Sequence, residues 1–403
     1  GGNVRVLSLN AQGKTPARGE VQAERLDLAA LTQIAHRLPL DAGLRNALIR
    51  YAPKGQVDTL NASWQGTATA PVTYSAKGRL SQLELAAVDG APGVRGLNLD
   101  FDLDQSAGRA TLSMTNGSVD VPGIFQEGLI SIDQMSANAK WQTVQDHIAV
   151  QLTGLKFANA DTQGEAQIKW QTSDPKKSPS KSRFPGLLDL QAKLSRAEGR
   201  RVHRYLPLVI DQRARDYVRE AVLDGNASNV RFVVKGDIYD IPAVDARRGE
   251  FRISADVKAA RLAYVPPGLQ EPNELPWPAL NDLSGELVID RLQLMVKGAR
   301  ARLGDNVAVQ VTHADATIAD LLNAEVAVSA DFRGPAPVVL QMVNGSPLAE
   351  LTARALTRTV VSGNAEYKLK LLLPVADLAK SSVQGSISMS GNDLQISPDT
   401  PKL

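Results

Sequence analysis

The chain contains no cysteine, only four histidines and four tryptophans, and just 4% aromatic residues in a length of 403. Without thiols, disulfide scaffolds, Cys-ligated zinc, iron–sulfur clusters and thiol catalysis are excluded together. His36, His147, His203 and His313 are far apart and have no ligand-spaced partners, which argues against a zinc site. Charge of one sign is missing too. Forty-five basic and 43 acidic side chains leave a net +2, so a nucleic-acid binder that works by neutralising phosphates is not expected. No run approaches the roughly 18 apolar residues of a membrane-spanning helix. No Gly-x-Ser-x-Gly elbow, P-loop or G-x-G-x-x-G joins a strand pattern to a helix pattern, so neither catalysis nor a cofactor is expected. Gly1-Gly2-Asn3 lacks both Met and a signal-peptide layout, and the chain reads as an internal piece of something longer. Hydrophobic residues at 43% against charged residues at 22% still supply a large, mostly aliphatic core, which rules out disorder throughout.

What is present is alternation. Leu97–Leu103 and Phe251–Val257 alternate apolar and polar residues without a fault. Similar runs occur at Met135–Trp141, Ile148–Leu152, Ala166–Trp170, Val230–Val234, Leu287–Ile289, Leu292–Val296, Val307–Val311, Val326–Phe332 and Tyr367–Leu373. Successive side chains of a strand point to opposite faces, so each run has one dry and one wet face. Buried parallel strands would read as continuous apolar runs instead, so the sheet is predicted to be antiparallel. Turns are expected at Ser106–Arg109, Asn116–Ser118, Gly298, Gly304–Asn306 and Gly391–Asp393. Asp100, Asp102 and Asp104 share a strand face, where same-face neighbours stand about 7 Å apart; a wet face explains them better than a calcium site.

Helical spacing is local. It covers Leu26–Leu38, continues after Pro39 through Leu44 to Tyr51, and returns at Arg201–Leu206 and Arg213–Leu223 on either side of Pro207. Val338–Leu356 is a third candidate, broken by Gly345 and Pro347. The first two pairs reveal an internal repeat. Leu38-Pro39 matches Leu206-Pro207, and after a two-residue shift Arg45, Gly55 and Gly66 fall on Arg215, Gly225 and Gly236. The order of strands afterwards also recurs. Such repetition suggests stacked units, each continuing its neighbour's sheet. The expected organisation is a first repeat over 1–170, a linker or exposed loop over 171–186, a second repeat over 187–335 and a partial third over 336–403. Val265–Pro278 is expected as another irregular loop. Arg200, Arg201, Arg204, Arg213, Arg215 and Arg219 crowd the second helix pair and read as a solvated face.

These elements, taken in order, resemble a known family. Tyr205-Leu206-Pro207, the Gly225 and Gly236 bracket, Asp237–Pro242 followed by Gly249-Glu250-Phe251, Ala263–Pro266, Trp277-Pro278, Leu283–Leu287, Gly363–Leu369 and Leu373-Pro374 look like the AsmA-like superfamily, and within it the central region of the YhdP family. The match is best over about residues 195–400. The resemblance implies a periplasmic segment of a protein anchored in the inner membrane by a helix outside this chain. It implies a U-shaped sheet lining a groove that conducts phospholipid acyl chains toward the outer membrane. The implied partners are phospholipid and, through parts outside this chain, the two membranes; nucleic acid is not among them, and protein partners are unknown.

The expected fold is therefore mostly β, an elongated, curled antiparallel sheet with short amphipathic helix pairs at the repeat joins. The groove lining is expected from Leu99, Phe101, Leu112, Met114, Val150, Leu152, Phe232, Val234, Ile253, Val257, Leu287, Ile289, Leu294, Val296, Val309, Val311, Val326 and Val328. Period two alone more often marks the core of a sandwich or solenoid; the groove comes from the resemblance. Two other readings are a scaffold offering sheet edges to outer-membrane proteins during their assembly, and a closed structural array.

Overall fold

The computed structural model describes all residues except 1, 13–15, 35–41, 68, 89–90, 244, 271, 274, 305–307, 352–353, 376–379 and 403. His36, Leu38-Pro39, Asp305 and Asn306 of the turn expected at Gly304–Asn306, and Val307 lie outside the described residues. The fold is mostly β with few helices, and its large antiparallel sheet of 18 strands is not closed into a barrel. Two compact units divide the chain: Gly1–Lys193 with Pro207–Val209 and Val234–Asp240, then Leu194–Leu206, Ile210–Val233 and Ile241–Leu403.

The first unit is an antiparallel meander. Its strands are β1 (Asn3–Leu9), β2 (Arg18–Asp27), β3 (Lys54–Thr67), β4 (Ala70–Leu85), β5 (Gly93–Asp104), β6 (Ala107–Asp120), β7 (Leu129–Val144), β8 (His147–Ala158) and β9 (Thr162–Gln171), each paired with the next. Between β2 and β3 stand α1 (Leu28–Ile34) and α2 (Ala42–Tyr51). Asp27 starts α1 by accepting the N–H groups of Ala29 and Ala30 at 2.8 and 3.1 Å, two donors the first turn would otherwise leave unpaired. The helix places Leu28 against a buried cluster of Leu83, Leu97, Met114 and Ile132. The first unit thus has a buried cluster at the strand ends nearest α1, with Leu85, Val94, Val119 and Ile130 partly buried around it.

Beyond β9, a run of turns leads to β10 (Leu187–Glu198). Its lysines Lys176, Lys177 and Lys181 are exposed, but Thr172, Ser173 and Ser178 are buried. The buried Asp237 carboxylate accepts the hydroxyls of Ser173 at 3.1 Å and Ser178 at 2.7 Å. Next come a 3-10 helix (Gly199–Tyr205), α3 (Gln212–Ala221) and β11 (Val222–Asp237). The predicted helix over 201–206 is therefore a tighter 3-10 turn, and Val222 and Leu223 belong to a strand. Asp211 caps α3 by accepting the N–H of Arg213 at 2.9 Å.

The second unit continues with β12 (Glu250–Leu262), β13 (Leu280–Asp290), β14 (Gln293–Leu303), β15 (Gln310–Ile318), β16 (Glu325–Pro335), α4 (Ala336–Asn344), α5 (Leu348–Leu351), β17 (Val360–Val361), β18 (Asn364–Pro374), β19 (Ser382–Met389) and β20 (Leu394–Gln395). The strands β12 to β16, β18 and β19 form a meander, while β17 pairs with β20. α4 packs Val339 onto a cluster of Ala336, Ala365, Tyr367 and Phe332, in which the Phe332 and Tyr367 rings stack 4.7 Å apart.

Two predicted turns are not turns. Asn116–Ser118 lies inside β6 and Gly298 inside β14. Asn116 (φ 52°) and Gly298 (φ 58°) take up left-handed backbone within β-bulges, where the registers against β5 and β15 shift. A positive φ serves a bulge as readily as a turn, so the residue type alone does not separate them.

Candidate functional site

Opposed residues of an antiparallel pair share a face, so the register reveals which side chains line up across each unit. In the first unit one row runs Val4, Ala23, Leu60, Gly78, Phe101, Ala110, Ala139, Leu152 and Ile168, one residue from each of nine strands. Neighbouring rows on that face are Leu80, Leu99, Leu112 and Ala137, and Leu103, Gly108, Trp141, Val150 and Trp170. At about 4.8 Å per strand the apolar band extends some 40 Å across this unit. It is not sealed. Leu99, Phe101, Leu112, Val150 and Leu152 are half-buried, while Met114 is 1% exposed within the cluster beside α1.

The opposite face of the first unit is polar. Arg79 pairs with Asp100 and Arg109 with Asp102, each at 2.7 Å. Asp104 accepts hydrogen bonds from the hydroxyl of Ser106 and the N–H groups of Ser106 and Ala107. Those bonds, the Ser106 hydroxyl first, hold its carboxyl below the ordinary range. The three aspartates are thus engaged in cross-strand ion pairs and a turn.

In the second unit one row runs Ile253, Ile289, Leu294, Ile318, Val326 and Leu373. The next runs Ala255, Leu287, Val296, Ala316, Val328, Leu371 and Val383 across seven strands. Val311 belongs to a further row with Ala301, Phe332, Tyr367 and Ile387, and Val257 stands opposite Gly285. All the predicted lining residues in these rows are half-buried. Val309 precedes β15 and is fully buried; on β11, Phe232 is half-buried and Val234 buried. The reverse face here is less polar than strict alternation implies, since Val288 is completely buried in a row with Ser254, Met295, Thr317, Ala327 and Leu372.

The arginines of the second helix pair are partly committed: Arg219 bonds Asp216 at 2.9 Å, and Arg215 donates to the Ile210 carbonyl at 3.0 Å. Among the described residues no cluster of three or more His, Cys, Asp or Glu could hold a metal ion, and no helix is long and apolar enough to cross a membrane. The chemistry on display is an extended aliphatic surface in each unit. A family model described as YhdP protein matches residues 3–403. The chain belongs to the YhdP family.

A relative in that family, "Intermembrane phospholipid transporter YhdP" of Escherichia coli (strain K12), is 25% identical over 213 residues. The matched stretch covers 52% of this chain and 16% of that relative. No solved structure matches the chain. Within this YhdP-family chain the sequence reading overlooked one set of residues. Trp64, Tyr74, Trp141 and Trp170 lie on the same apolar face as Leu99 and Leu152, toward the strand ends away from α1. Alternating runs ending in Trp141 and Trp170 carried the signal, but the expected lining took Leu, Val, Ile, Met and Phe and left out tryptophan and tyrosine.

Proposed function

We propose that the chain is a segment of a phospholipid transporter of the bacterial envelope, working without catalysis. The apolar face of each unit receives acyl chains, and headgroups remain in water. The whole protein is anchored at the inner membrane and acts in the periplasm, where its route leads toward the outer membrane. The observation that carries this reading is the pair of continuous apolar bands, one per unit, in which alanines such as Ala110, Ala139 and Ala255 are buried but most Leu, Val and Ile side chains are left half-buried by their own protein. The family and the name of the E. coli relative support it.

The energetic need is large. Roughly 30 acyl methylenes at about 0.8 kcal/mol each would lose on the order of 20–25 kcal/mol on entering water. A dry surface that follows the chains removes most of that barrier. Aliphatic side chains suit this task because they offer no polar group for a tail to leave unpaired.

Mass spectrometry of phospholipid retained by the purified chain tests the proposal. Leu99→Asp, Leu152→Asp and Leu294→Asp put a carboxylate on the apolar faces and are expected to lower retention by about tenfold, equivalent to about 1.4 kcal/mol. Ser113→Asp, on the polar face, is the matched control and leaves retention unchanged. Equal retention in all four folded variants, or unfolded barrel proteins captured in place of lipid, overturns the reading.

A further inference from the structure

The apolar face of the first unit changes character along its strands. Near α1 it is aliphatic and closed, with Leu83, Leu97, Met114 and Ile132 buried together. Toward the far strand ends it becomes aromatic. Trp64 stands opposite Tyr74, and Trp141 and Trp170 both stand opposite Val150, from the two sides of β8. Three of the four tryptophans in the chain are spread along that rim, Trp64 on β3, Trp141 on β7 and Trp170 on β9.

Two of them are held by an unusual means. Trp64 lies over Gly19 and Trp141 over Gly108, so closely that a Cβ at either glycine would sit 2.1 or 2.2 Å from the indole Cζ2. The rings therefore lie flat on bare backbone and do not stand out from the sheet. Trp170 stacks with Phe184 at 6.0 Å and donates its N–H to the Pro185 carbonyl at 2.8 Å. The N–H groups of Trp64 and Trp141 donate to no atom of the described residues.

We propose that this aromatic end is where the glycerol-ester and phosphate region of a bound phospholipid rests, with its acyl chains directed along the strands toward Leu112 and Leu99. The proposal rests on the lipid-binding reading above and adds an orientation to it. An indole combines an apolar body with one donor, which is why such rings collect where hydrocarbon meets water. A bare acyl tail has no acceptor, so a donor set among tails would go unpaired at a cost of about 1–3 kcal/mol. Ester carbonyls and phosphate oxygens supply acceptors. The length also fits: from the level of Met114 to that of Gly108 is six residues of β6, or about 20 Å, against about 15 Å for the hydrocarbon of one leaflet.

The experiment uses the whole chain carrying Trp277→Phe, so that emission comes from the three tryptophans of the first unit. It is loaded with phosphatidylcholine bearing a nitroxide quencher either next to the glycerol or at the methyl end of one chain, and retained lipid is quantified by mass. The expected result is strong loss of indole emission with the glycerol-end label and little with the methyl-end label. Equal or stronger quenching by the methyl-end label overturns the orientation, as does retained lipid that quenches with neither label. Failure to retain either lipid overturns this proposal together with the reading beneath it. In a Trp64→Leu/Trp141→Leu variant the retained lipid, quantified by mass, is expected to fall severalfold for want of the indole donors; retention equal to that of the parent chain counts against the proposal.

Discussion

Gly108 faces Trp141, and the space a methyl group would need is already filled by the indole. Gly108→Val must move the ring or the strand, and overpacking of this kind costs about 1–3 kcal/mol. The expected outcome is a lower urea midpoint for Gly108→Val, largely restored by Gly108→Val/Trp141→Ala, where the obstruction is gone. If the single variant unfolds at the parent midpoint, the close stacking is not a constraint on stability. The pairing itself could not be read from sequence. Gly108 and Trp141 meet only because β6 and β7 settle in one register, and register is a property of the pair of strands. The alternation around them, by contrast, is local, and the runs ending at Trp141 and starting at Leu97 emerge within β7 and β5 as the period predicts.

The turns between β9 and β10 behave as a single element. Their Pro, Ser and Lys composition reads as an exposed loop, and the lysines are indeed exposed. What composition hides is the anchor, since Asp237 lies far along the chain and reaches Ser173 and Ser178 only once the unit has folded. Asp237→Ala leaves the buried Ser173 hydroxyl without its acceptor, at a cost of about 1–3 kcal/mol, while Ser178 keeps only Ser180 at 2.8 Å. Trypsin should then cut after Lys176, Lys177 or Lys181 much faster than in the parent chain, while circular dichroism of the sheet is retained. Cleavage at the parent rate would show that the backbone ties, such as Ser173 N–H to the Arg183 carbonyl at 2.9 Å, suffice alone. Helix ends were legible only in part at this scale. The helix expected from Leu26 begins only at Leu28, after the cap Asp27, because Leu26 and Asp27 end β2; Asp211 likewise caps α3, and nothing in Arg201–Leu206 distinguishes an α-turn from the 3-10 turn that forms.

Across the whole chain, apolar side chains stay in contact with water at Val4, Val6 and Leu7 on β1 and at Val383 and Ile387 on β19. Exposed apolar strands of this sort favour association between copies. Val6→Lys/Ile387→Lys, at positions 62% and 60% exposed, is expected to reduce concentration-dependent association in sedimentation velocity, while stability stays within about 0.5 kcal/mol of the parent. Unaltered association would assign it to other surfaces. The mostly antiparallel architecture was readable because period-two patterning is dictated by backbone geometry; the covered row containing Val288 was not, because it depends on what packs over it. The opposed rows carry a consequence for how such a chain can evolve. A Leu exchanged for Val or Ile leaves an oily surface oily, so mutation rewrites the lettering freely. Loss of a single codon inside a strand is another matter, for it turns every later side chain of that strand inside out. Descendants of this molecule should therefore differ widely in spelling yet seldom in strand length by an odd count.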